Sequence, residues 1–114
     1  MAEVTVVAKA RAKLGREADV ERALKAVIGP THREAGCRFY ALHRGLEDRG
    51  VFVVIERWTS QDALDQHLAT THVRMLFGQL ADLVAGPAEV VTFEHLPVGL
   101  AEKERLGSLA NTLR

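Results

Sequence analysis

The spacing of apolar and polar positions changes several times along this chain, and each change marks an element. From Glu3 to Ala12, β-branched and polar residues alternate around Val4, Val6, Val7 and Ala8, and Gly15 follows, which predicts a strand and its turn. From Arg16 the period lengthens: Val20, Ala23, Leu24, Val27 and Ile28 fall three and four apart, with Glu17, Asp19, Glu21, Arg22 and Lys25 on the other face. That pattern is an amphipathic helix with acids in its first turn, where the positive end of the helix dipole favours them. Gly29-Pro30 kinks or ends it, and Thr31 to Ala35 has room for one further turn. Cys37 to Leu46 and Val51 to Thr59 are strand-like runs joined by the polar Glu47-Asp48-Arg49-Gly50, a hairpin signal. Ser60 stands as N-cap to a helix over Gln61 to Leu68, and Thr70 or Thr71 caps the next, whose apolar stripe is Val73, Leu76, Phe77, Leu80, Leu83 and Val84. Gly86-Pro87 stops that helix and Ala88 to Leu96 reads as a last strand. In the tail from Pro97 to Arg114, Leu106, Leu109 and Leu113 have helical spacing.

Strand, helix, strand, strand, helix pair, strand is the order of the split β-α-β, or ferredoxin-like, α+β fold: an antiparallel four-stranded sheet with helices on one face. Residues 1–98 are expected to form this domain, and residues 99–114 a helical tail that touches a partner subunit. The partner follows from the third strand, where Val51, Val53 and Ile55 point one way while Phe52, Val54 and Trp58 point the other. A subunit's own helices cover one apolar face. The second face predicts a homodimer in which two sheets close into an α+β barrel.

Composition narrows the functional classes. Fifteen basic residues balance fifteen acidic ones, so no global field recruits nucleic acid or an anionic membrane. With 47% hydrophobic and 26% charged residues the chain has the makings of a packed globule. Cys37 is the single cysteine, which excludes an internal disulfide. Together with an N-terminal stretch unlike a signal peptide, and no run near the roughly 18 apolar residues of a membrane span, this makes the cytoplasm the expected location.

The run Gly36-Cys37-Arg38-Phe39-Tyr40-Ala41-Leu42-His43-Arg44, then Glu56-Arg57-Trp58-Thr59-Ser60-Gln61-Asp62-Ala63-Leu64-Asp65-Gln66-His67, then Thr71-His72, resembles the antibiotic biosynthesis monooxygenase family. Members typically carry a Pro-Gly-Cys strand opening, a Glu-x-Trp strand end, a helix closing on His, and a Thr-Pro-His step. Here Ala35 and Thr71 stand where prolines are common, and neither position supplies a chemical group. The likeness spans about residues 4–96. It implies a dimer of ferredoxin-like subunits with one pocket each between sheet and helices. It also implies oxygenases that need neither metal nor flavin, because a deprotonated phenol or quinol itself reduces dioxygen.

The chain holds residues suited to such a pocket. Glu56 and Trp58, two apart on a strand, share a face, and His67 and His72 come from the helical segment that covers it. His67 or His72 is the expected proton acceptor, since imidazole titrates near neutrality. Glu56 would orient a histidine, and Trp58 would be an aromatic wall and N–H donor. Tyr40 and Arg44, of one parity on their strand, would hold a phenolate or carboxylate oxygen, and Phe77 would face the substrate. Each has a structural alternative: Trp58 as core, His67 as helix C-cap, His72 as support for the next helix, Glu56 as partner of a surface arginine. Cys37 reads as a small buried hydrophobe.

No cofactor is expected. His67 and His72 are five apart, roughly 500° around one ideal helix, and share a face poorly; no HExxH or paired-cysteine spacing occurs. No Gly-rich phosphate loop follows a strand. Haem-degrading proteins of similar fold use a helix-borne histidine and an asparagine on the first strand, and the positions near Phe77 and Lys9 supply neither. The leading expectation is a cofactor-independent monooxygenase that takes dioxygen and a small aromatic hydroquinone or polyketide-like phenol. The competing readings are a non-oxidative proton-transferring isomerase and a non-catalytic ligand-binding dimer.

Overall fold

The computed structural model describes residues 2–104. Strand β1 (Val4–Arg11) leads to helix α1 (Glu17–Ala26) and the short α2 (Ile28–His32). The hairpin β2 (Cys37–Arg44) and β3 (Val51–Trp58) follows, then α3 (Gln61–Leu68), α4 (Thr71–Leu80), β4 (Glu89–Phe93) and a single turn of helix, α5 (Ala101–Glu104). Leu106, Leu109 and Leu113 lie outside the described residues.

The strands pair antiparallel in the order β2-β3-β1-β4, the ferredoxin-like topology. The face under the helices carries Val6, Tyr40, Phe52, Val54 and Trp58, which meet Val20, Leu24, Leu64, Val73, Leu76 and Leu80 in one core. Trp58 and Phe52 are 0% and 2% exposed. Removing an aromatic side chain's roughly 150–250 Å² from water at about 25 cal/mol per Å² makes these two rings major contributors to stability. A bulge between Cys37 and Phe39 flips parity at the start of β2, so Cys37 pairs with Trp58 while Phe39 pairs with Arg57.

The other face is open. Ala41, Ile55, Val7 and Val91 lie side by side across all four strands, with Phe93 beside them on β4. Val91 and Phe93 are 46% and 50% exposed. No helix among the described residues is long and apolar enough to cross a membrane.

Two boundaries differ from the sequence pattern. Helix α4 stops at Leu80, short of Leu83 and Val84, because the chain there turns to the end of β1: Lys13 N–H donates to the Leu83 carbonyl and Val84 bridges Ala12. The last strand is shorter than Ala88 to Leu96 because only Glu89–Phe93 has β1 as a neighbour.

Candidate functional site

The site is built around the joint between α3 and α4. Ser60 caps α3 by accepting the Ala63 N–H at 3.1 Å, which starts the helix directly after Trp58. At the far end Thr70 works in both directions. Its hydroxyl donates to the His67 carbonyl at 2.7 Å and accepts the Val73 N–H at 3.3 Å, closing one helix and capping the next. His67 therefore stands in the last turn of α3 and His72 in the first turn of α4. The chain breaks between them, so the angular offset of a continuous helix does not apply, and their rings approach to 6.1 Å between centroids.

What joins them is Glu34, in the turn between α2 and β2. His67 Nδ1 and His72 Nε2 each donate to the same Glu34 oxygen, Oε2, at 2.8 Å. A carboxylate oxygen only accepts, so both nitrogens carry hydrogen and the proton of neutral His67 sits on Nδ1. Nε2 is left as an acceptor, without a hydrogen-bond partner among the described residues. The His67 side chain is only 3% exposed, Glu34 16% and His72 24%, so the cluster runs from the interior toward the surface.

The Trp58 ring packs on His67 at 4.3 Å between centroids, tilted by 36°, and Tyr40 meets the same imidazole edge-on at 5.7 Å. Trp58 Nε1 donates to Glu56 Oε1 at 2.8 Å. The carboxylate that orients the imidazoles is thus Glu34, whereas Glu56 engages the indole. Tyr40, Glu56 and His67 line an apolar cavity of about 50 Å³ between sheet and helices, and Phe77, 43% exposed, lines it as well. Arg44 is not among the lining residues. It stands at the far end of β2, with its guanidinium paired to Glu21 of α1 and lying 5.5 Å from the Phe52 ring centroid.

Electrostatics distinguish the titratable groups. Burial pushes the Glu56 carboxyl up to about 7, the Trp58 N–H working against the rise and the Glu34 charge adding to it. Burial lowers the His67 pKa more than Glu34 raises it, which favours the neutral imidazole. Burial, helped by the charges of Glu56 and Glu34, raises Tyr40 so that its hydroxyl stays protonated. The Cys37 thiol is pushed up to about 11, chiefly by burial, and so is no nucleophile at neutral pH. Glu34, His67 and His72 also place three potential ligand atoms within 4.8 Å of one another.

Glu34 escaped the sequence pattern because it lies in a turn without periodicity, far in sequence from both histidines. Only its position two residues before the Gly36-Cys37 strand opening marks it. His32 and His43 are exposed, while His95 is half-buried beside Glu104.

The family model for antibiotic biosynthesis monooxygenases matches residues 3–77. The chain belongs to the antibiotic biosynthesis monooxygenase family. Within that family it is 32% identical over 93 residues to "Putative monooxygenase Rv0793" of Mycobacterium tuberculosis, a match covering 82% of this chain and 91% of that protein. The solved structure of Rv0793 superposes with a TM-score of 0.79 at 30% identity, over 88% of this chain and 99% of the other. PA3566 from Pseudomonas aeruginosa gives a TM-score of 0.80 at 29% identity, over 85% and 97% of the two chains. A Nitrosomonas europaea member, at 21% identity and a TM-score of 0.79, shares the fold. The matched span of the family model contains every residue of the cluster, from Glu34 to Phe77.

Proposed function

We propose that this family member is a cofactor-independent monooxygenase that acts, as a homodimer, on a small aromatic hydroquinone or polyketide-like phenol. The observation that carries the reading is a neutral imidazole, His67, buried in an apolar cavity with its Nδ1 proton tied to Glu34. That bond fixes the tautomer and leaves Nε2 free to take a phenolic proton. Tyr40 lines the cavity and gives a flat substrate an aromatic surface to pack against, whereas Trp58, fully buried and outside the cavity lining, backs the His67 imidazole. The cavity is narrow, so a one-ring substrate enters by displacing Phe77 at its exposed rim.

Once deprotonated, the electron-rich ring passes an electron to dioxygen, and recombination puts a peroxide on a ring carbon. Two protons delivered to the outer oxygen, with loss of the proton on the ring carbon, break the O–O bond, release water and leave a carbonyl. The balance is one phenol plus one dioxygen to one quinone plus one water, with no outside reductant. Protonated Glu56, whose raised pKa leaves much of it neutral near pH 7, supplies one proton and His67 returns the other, while the ring-carbon proton passes to the Glu56 carboxylate and restores it.

The test is turnover under ¹⁸O₂ with a panel of hydroquinones and polycyclic phenols, on protein verified free of metal and flavin. One labelled atom per product molecule, and the other in water, is expected. Turnover without label in the product would replace the oxygenase with a proton-transferring isomerase.

A further inference from the structure

We propose that Glu34, His67 and His72 form a three-ligand site for a divalent transition-metal ion such as zinc, and that an ion bound there switches off His67 as a proton acceptor. The donor set is two imidazole nitrogens and one carboxylate oxygen, the ligand types that first-row divalent metals prefer. They come from three separate segments, the α2–β2 turn, the end of α3 and the start of α4, and converge within 4.8 Å. Both nitrogens already stand 2.8 Å from Glu34 Oε2. Ligands about 2.1 Å from a tetrahedral metal lie about 3.4 Å apart, so an outward shift of Glu34 together with a closing of the two imidazoles, whose donor atoms lie within 4.8 Å, opens the seat.

Charge favours the same occupant. Among the described residues the ion-pair partners of Glu34 are the two histidines alone, so no lysine or arginine competes for the carboxylate. With neutral imidazoles the cluster carries one net negative charge toward a dication. The partial exposure of His72 and Glu34 gives an entry path and leaves open positions for water.

The consequence for His67 is a change of tautomer. A metal on Nδ1 displaces the hydrogen there, and a neutral ring then carries its hydrogen on Nε2. The acceptor of the apo protein becomes a donor. This effect on catalysis rests on the oxygenase reading; metal binding itself does not.

Calorimetric titration of the untagged protein with Zn²⁺ in a non-chelating buffer is the test, with the melting temperature followed in parallel. One ion per chain is expected, accompanied by a rise in melting temperature. Glu34→Gln and His72→Ala should each weaken binding at least ~10-fold, while His95→Ala, which removes another carboxylate-paired histidine, should leave it unchanged. His72→Gln, close in size to imidazole, replaces His72→Ala if that variant does not fold. Absence of binding by the wild type, or equal affinity in the Glu34 and His72 variants, overturns the proposal. Either result leaves the ¹⁸O₂ experiment to stand or fall separately.

Discussion

The Glu56 carboxyl is the clearest case of a side chain held against its own preference. It is 5% exposed on β3, with one indole N–H to offset lost hydration, and its pKa rises from 4.5 to about 7. A carboxyl with a folded-state pKa above its unfolded value binds more protons in the native state across that interval. Its stabilising contribution is complete below about pH 4.5 and is lost as pH rises through about 7, a swing on the order of 3 kcal/mol. His67, with its pKa lowered, works in the opposite sense, losing stability as pH falls below 6.5. Comparison with Glu56→Gln isolates the carboxyl. The variant's melting temperature should gain on the wild type between pH 5 and pH 7 and then hold a constant lead; a difference independent of pH would contradict the assignment. Trp58, His67 and His72 were legible in the sequence because a strand alternates and a helix end is punctuated. Glu34 was not, since a lone acid in a turn carries no period.

At the scale of elements, the geometry of the site depends on how closely α3 approaches the start of β2. Gly36 allows that approach: a Cβ there would lie 2.4 Å from the Ala63 Cβ and 3.2 Å from the Thr59 hydroxyl oxygen. Gly36→Ala must push the first turn of α3 away from the sheet, at a cost of about 1–3 kcal/mol. Thermal unfolding should show a loss of about 5 °C or more, and an unchanged midpoint would mean the contact relaxes freely. Hairpin, caps and helix faces followed from local chemistry, including Ser60 and one of the two threonines offered for α4. The length of α4 did not. Leu83 and Val84 continue its apolar stripe, yet a long-range bridge to Ala12 takes them out of the helix, and spacing along the chain holds no record of such a bridge.

For the whole molecule, the row Ala41, Ile55, Val7 and Val91 bears on the proposed dimer, since an apolar band across an entire sheet face is what a second copy would cover. Val91 is 46% exposed within one subunit and lies outside the core cluster, so Val91→Lys costs little internal packing. Sedimentation should show the wild type as a dimer and this variant shifted to monomer; identical profiles would remove the sheet face from the interface. The α+β class was readable from the order of elements along the chain and the alternation of the strands, whereas the cavity's width depends on side chains from seven elements meeting at once. Oxygen uptake by wild type and His67→Gln, with the same hydroquinone at saturating concentration, tests the role of the cavity most directly. A fall of about 100-fold or more in the variant, with its fold and substrate affinity retained, is expected if His67 takes the phenolic proton. Equal rates in the two proteins would contradict it.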